Sequence, residues 1–155
     1  MAFQQFAAEW TAFASGGVTL SFPILIVEDH AKTSAVIATL LNAIGFTDTE
    51  HATDGDKALS RLTRGGIRLV LSDYHMSPMN GLELLQRMRA NDETADIPFV
   101  MVSADQDFQL MRAAAQAHVE ILIKPFKADQ LRQSLMRAVG RECFDEAKSA
   151  GSARP

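Results

Sequence analysis

Four short apolar runs, each closing on a polar residue, constrain this chain more than any other feature. Glu28 and Asp29 follow Pro23-Ile24-Leu25-Ile26-Val27, and Asp73 follows Ile67-Arg68-Leu69-Val70-Leu71-Ser72. Ser103 follows Ile97-Pro98-Phe99-Val100-Met101-Val102, and Lys124 follows Glu120-Ile121-Leu122-Ile123. Apolar runs of this length, separated by segments of helical period, mark strands buried on both faces of a parallel sheet. In such a sheet ligands bind just outside the carboxyl ends of the strands. Three carboxylates, a hydroxyl and an ammonium therefore converge on one rim, a place suited to a divalent cation and a phosphoryl group.

The alternation of strand and helix recurs five times between residues 22 and 140. Strand one covers Ile24 to Val27, and its helix carries Val36, Ile37, Leu40, Leu41 and Ile44 on one face, with Gly45 as a stop. A weaker strand, Thr49 to Ala52, leads to Asp54, which suits the N-cap of a short helix with Ala58, Leu59 and Leu62. Strand three, Leu69 to Ser72, precedes a helix from Gly81 that buries Leu82, Leu85 and Met88. Strand four covers Phe99 to Val102, helix four Phe108 to Ala117, and strand five Ile121 to Ile123. The last helix shows Leu131, Leu135 and Val139 at i, i+4 and i+8. Strands alternating with helices of this size predict right-handed βαβ units and an α/β, doubly wound sheet.

Residues 1–21 form an extension ending in the flexible joint Ser15-Gly16-Gly17, and residues 141–155 form a tail expected to fray. Phe3, Phe6, Trp10 and Phe13 outline an amphipathic helix in the extension. The readings that stay open for it are packing on the domain or mere fraying, a mis-assigned start, and a homodimer or partner contact. With a tail this short, no output module is expected after residue 140.

Net charge of −4 and scattered Lys and Arg argue against a nucleic-acid surface, which is basic. The lone Cys143 can form no intramolecular disulfide and suits a reducing compartment. No apolar stretch approaches the roughly 20 residues of a membrane helix, and a secretory leader pattern is missing, so a cytoplasmic protein without membrane insertion is expected.

Chemistry at the rim follows from charge. Three neighbouring acids stay ionised only with a compensating cation, and Mg²⁺ takes carboxylates, water and phosphate oxygens. Asp73 can act as nucleophile on a phosphoryl donor, giving an acyl phosphate. Lys124 offers a compact cation and Ser103 a hydroxyl to the phosphoryl oxygens. Singly, each residue has an ordinary explanation: a helix cap, a turn, a surface corner. Their joint order at successive strand ends does not. His30, His51, His75 and His118 show no metal-ligand spacing and read as solvated or packing residues.

The segments Glu28-Asp29, Ser72-Asp73, Met76 through Gly81, Ser103-Ala104 and Lys124-Pro125-Phe126 resemble the receiver domain of two-component response regulators. The resemblance covers residues 22–140 and is nearest to stand-alone, CheY-like chemotaxis regulators. It implies a (βα)₅ sheet of order 2-1-3-4-5 and phosphorylation of Asp73 by a histidine kinase. It also implies Mg²⁺ bound by Glu28, Asp29, Asp73 and the backbone carbonyl of His75, and a cis Lys124–Pro125 bond. Output to a downstream protein target is implied through the face of helix four, strand five and helix five.

Two departures stand out. The family places proline four residues after the phosphoacceptor, where this chain has Ser77 followed by Pro78; and the switch aromatic three residues before the lysine is Ile121. A phosphorelay shuttle and a non-phosphorylated pseudo-receiver are the alternative functions. A phosphohydrolase with an Asp nucleophile fits less well, because it wants a second Asp where His75 stands. His75 and Asp105 are positioned to shape the water that hydrolyses an acyl phosphate.

Overall fold

The computed structural model describes Ala12, residues 22–104 and residues 108–151, with residues 140–151 described by backbone alone. Five strands, β1 (Ile24–Val27), β2 (Thr49–Ala52), β3 (Leu69–Asp73), β4 (Phe99–Ser103) and β5 (Glu120–Ile123), form one sheet in the order β2-β1-β3-β4-β5. Every neighbouring pair is parallel. Five helices connect or follow them: α1 (Ala31–Ala43), α2 (Gly55–Leu62), α3 (Gly81–Arg89), α4 (Phe108–Gln116) and α5 (Ala128–Gly151). Among the described residues, no helix is long and apolar enough to cross a membrane.

The apolar runs are continuous because both faces of the sheet are covered. Successive side chains of a strand point to opposite faces. Ile24, Ile26, Leu69, Leu71, Val100 and Val102 join the core beneath α1 and α5. Leu25, Val27, Val70, Phe99 and Met101 join the other, beneath α2, α3 and α4. The central strands β1, β3 and β4 are buried at every position.

Helix faces follow a narrower stripe than the sequence suggests. In α1 the buried residues are Ser34, Ile37 and Leu41, while Val36 is 58% exposed. One residue is about 100° of rotation, so Val36 cannot share the seam with Ile37 and Leu41. Ser34 takes a place in that seam because its hydroxyl is hydrogen-bonded to His51 Nδ1 of β2. In α3 the buried set is Gly81, Leu84, Leu85 and Met88, with Leu82 on the shoulder. In α2, Ala58 and Leu62 are buried and Leu59 is half-buried. Leu131, Leu135 and Val139 of α5 are buried as their spacing predicts.

The cap expected at Asp54 is present, and a second stands at Asn80. The carboxylate of Asp54 accepts the Lys57 N–H at 2.8 Å, and the Asn80 side chain accepts the Glu83 N–H at 2.9 Å. Gly65 and Gly66 follow α2 with positive φ, a conformation glycine adopts without Cβ strain. The Lys124–Pro125 bond is cis, and so is Ser77–Pro78.

Candidate functional site

Parallel register sets the site. Val27 pairs with Ser72, so the next residues along, Glu28 and Asp73, lie level at the carboxyl rim. Asp73 pairs with Val102 and Ser103 pairs with Ile123, which puts Lys124 one step beyond Ser103 on the next strand. Backbone bonding carries the ladder past the apolar runs: Glu28 N–H donates to Ala52 O, Tyr74 N–H to Val102 O and Lys124 N–H to Ser103 O. The polar residues are thus held by the sheet itself rather than by free loops.

Glu28, Asp73 and Ser103 are buried, whereas Asp29, His30 and His75 are exposed. The Lys124 ammonium bridges the two buried acids, 3.4 Å from Glu28 Oε2 and 3.5 Å from Asp73 Oδ1. Burial, and then the neighbouring Asp73 charge, push the Glu28 carboxyl above its ordinary value; the His30 backbone N–H and Lys124 act the other way. His30 is raised, first by its side-chain hydrogen bond with Glu28 and then by the charge of Asp29.

The sequence-predicted residues do not all converge equally. Glu28, Asp73 and Lys124 form one contiguous cluster. Asp29 faces outward, where its Oδ1 lies 2.8 Å from His30 Nδ1. Ser103 is fully buried at the end of β4. His75 meets Tyr74 edge-on, with ring centroids 4.8 Å apart, and is exposed. Asp105, Cys143 and the aromatic extension, Phe3, Phe6, Trp10 and Phe13, lie outside the described residues or described side chains.

His30, expected from the sequence to be solvated or to pack, is exposed beside the acid pair. The ligand atoms of Glu28, Asp29 and His30 all lie within 4.8 Å of one another. Its only sequence signal is adjacency to the acid pair, and adjacency on a chain does not predict convergence of side chains. The donor chemistry of the corner fits a hard divalent cation: carboxylates predominate, and Glu28 is destabilised as an anion by burial and by Asp73.

A doubly wound parallel sheet of order 2-1-3-4-5 is the arrangement of flavodoxin and CheY, with the ligand site at the carboxyl rim. Residues 24–136 match the response regulator receiver domain family. The chain is 36% identical over 113 residues to chemotaxis protein CheY-3 of Vibrio cholerae, covering 72% of this chain and 87% of that protein. It is 35% identical over 119 residues to chemotaxis protein CheY of Pseudomonas aeruginosa, covering 76% and 96% respectively. Among solved structures, a sensor protein from Polaromonas superposes with a TM-score of 0.72 at 26% identity, covering 79% of this chain and 98% of that one. The receiver domain of the P. aeruginosa sensor histidine kinase PA1611, with a magnesium ion coordinated in its active-site cleft, gives 0.69 at 25% identity, covering 78% and 99%. The chain belongs to the response regulator receiver domain family.

Proposed function

We propose that this chain is a chemotaxis-type response regulator whose receiver unit, residues 22–140, accepts a phosphoryl group from a histidine kinase onto Asp73. The observation that carries this reading is the buried cluster in which Lys124 Nζ lies 3.5 Å from Asp73 Oδ1 and 3.4 Å from Glu28 Oε2. In the transfer, a carboxylate oxygen of Asp73 attacks the phosphorus of the kinase phosphohistidine. The P–N bond breaks, and the departing imidazole takes up a proton. Lys124 and the Ser103 hydroxyl are assigned to phosphoryl oxygens, holding the acceptor and the incoming group in line. Mg²⁺, assigned to Glu28, Asp29, Asp73 and the His75 carbonyl, neutralises phosphoryl charge when bound. The magnesium in the cleft of the related PA1611 receiver supports that assignment.

Signalling is assigned to a shift between two conformations that phosphorylation biases. On the α4-β5-α5 face, Phe108 is 81% and Met111 44% exposed on α4, which supports that face as the surface offered to a downstream protein. Ile121 is half-buried against the core beneath α2, α3 and α4. A branched aliphatic side chain has no ring to rotate, so the report is assigned to movement of the Ser103 loop and α4.

The test is incubation of the protein with Mg²⁺ and acetyl phosphate, followed by mass spectrometry. One phosphoryl adduct is expected, abolished by Asp73→Asn and by chelation of the metal. No adduct on the wild type, or one that persists in Asp73→Asn, overturns the proposal and favours a pseudo-receiver.

A further inference from the structure

We propose that the cavity at the amino pole of β4 and β5 seats the indole of Trp10, so that the chain's own extension docks beneath the α4-β5-α5 face. The inference stands apart from the phosphoryl chemistry proposed above.

The cavity holds about 240 Å³. Small-molecule sites run to about 300–1,000 Å³, so this one suits a single large side chain. Pro98 and Phe99 at the head of β4, Ala117 after α4 and Ala138 of α5 supply its apolar lining. Arg137 and Glu120 also line it, and Arg137 Nε donates to Glu120 Oε2 at 3.0 Å. A second nitrogen of Arg137 donates to the Ser134 hydroxyl at 3.4 Å. Those bonds use the edge of the guanidinium and leave its flat face for an aromatic ring. The other carboxylate oxygen of Glu120 lies outside that pair and suits an indole N–H. Tryptophan, an apolar body with one polar N–H, matches this lining better than phenylalanine does.

The point at which the extension joins the sheet puts it within reach. Pro23 O accepts the Arg68 N–H at 2.9 Å, and Pro98 O accepts the Val70 N–H at 3.0 Å. The two prolines therefore flank β3 at one pole, about 10 Å apart at two strand spacings. Phe22 is buried in the core that contains Val139, and Ala138 packs against the same core. The extension thus leaves the sheet beside a wall of the cavity. Residues 15–21, which include the Ser15-Gly16-Gly17 joint, span about 15 Å as a flexible coil. A tether whose length matches the span gives the highest effective concentration of its end. Ala12, the described residue of the extension, is helical and half-buried. Helical spacing sets Phe6 and Phe13 on the side of Trp10, where they are assigned to the mouth of the cavity.

The place of the seat gives the docking its consequence. Ala117 and Ala138 belong to the α4–β5 turn and α5, next to the surface assigned to the downstream protein. Asp73 stands at the opposite end of the strands. Docking therefore bears on output and leaves the phosphoacceptor open.

Trp10 is the chain's only tryptophan, so its fluorescence reports the seat in the whole protein without a label. Wild-type emission is expected to be blue-shifted from that of the urea-unfolded chain and protected from acrylamide. Nuclear Overhauser contacts should join the indole to the methyl groups of Ala117 and Ala138. Ala117→Leu and Ala138→Leu fill the cavity from two walls; each should red-shift the emission and raise quenching to the unfolded level. Ala117 is exposed, so its variant carries the test should Ala138→Leu fail to fold, which urea unfolding reports. Solvent-exposed emission from the wild type overturns the proposal. So does protected emission that neither folded variant releases, because the indole then packs elsewhere. Protection that disappears on dilution places the indole on a second copy and overturns docking within one chain.

Discussion

Gly81 opens α3 immediately beside the phosphoacceptor strand, and adding one methyl group there gives a sharp test of the packing around Asp73. A Cβ on residue 81 would sit 2.5 Å from the Asp73 carbonyl oxygen, 2.6 Å from Met101 Sδ and 3.1 Å from Tyr74 Cα. Asp73 belongs to β3, which is paired on both sides by β1 and β4, so its carbonyl has no room to retreat. Met101 is itself fully buried. Relief must come from α3, whose first N–H donates to Tyr74 O at 2.9 Å, and the shift would strain that bond. Overpacking of a core costs about 1–3 kcal/mol, and contacts with two backbone atoms, the Asp73 carbonyl hardest of all, place Gly81→Ala toward the upper end. For a chain of 155 residues, a loss of about 3 kcal/mol lowers Tm by roughly 6–12 °C.

Gly55→Ala is the matched control. It too is the first residue of a helix behind a side-chain N-cap, so differences in helix propensity largely cancel. Its added Cβ meets only the buried Met79 side chain, closest at Sδ, and with no backbone atom among those contacts its cost is expected near the lower end of that range, about 1 kcal/mol. Urea unfolding followed by far-UV circular dichroism measures both variants. If Gly81→Ala proves no more destabilising than Gly55→Ala, the account of a rigid β3–α3 junction is wrong.

Three further outcomes are expected. Lys124→Ala should slow acetyl-phosphate labelling of Asp73 by at least about tenfold, since a charged hydrogen-bond donor to the phosphoryl group is lost; kinetics followed on phosphate-affinity gels would show it, and an unchanged rate would remove Lys124 from the site. Replacing either side-chain cap, Asp54→Ala or Asn80→Ala, should cost about 1 kcal/mol in urea unfolding, because each leaves a helix N–H without its acceptor. The Arg61 guanidinium grips both oxygens of Glu50 at 2.7 Å and holds its carboxyl below the usual range, first through that hydrogen bonding. A lowered folded value means the contribution is full above the unfolded carboxyl's titration and is lost as pH falls through the folded value. Glu50 is 39% exposed, so solvent limits the effect to about 1 kcal/mol or less. Wild type and Glu50→Gln should therefore differ near neutral pH and converge in acid; a difference that persists below the titration would point to packing instead.

The extent to which the amino-acid sequence foretells this protein varies with the range of the interaction. The central strands were legible because burial on both faces leaves an unbroken apolar run, and the cap Asp54 because it acts within three residues of itself. The rim residues were legible as strand-end positions, since register then carries Glu28 beside Asp73. Helix faces were legible only to within one residue. Val36 looked as apolar as Ile37, yet which of two neighbours enters the seam depends on the rotation of the docked helix. Ser34 could not be placed in that seam without knowing that His51 stands opposite it.

The sequence by itself determined the alternating architecture, the direction of its strands and the identity of the groups delivered to the rim. All of these follow from period, length and the position of polar residues along the chain. Only the tertiary structure decided how those groups divide: Lys124 between Glu28 and Asp73, and His30 over the outer edge of Glu28 and Asp29. The physical reason is that side-chain convergence depends on rotamers and on distances across strands remote in the chain. A one-dimensional pattern records which residues arrive at an edge, and three-dimensional packing sets which atoms meet there.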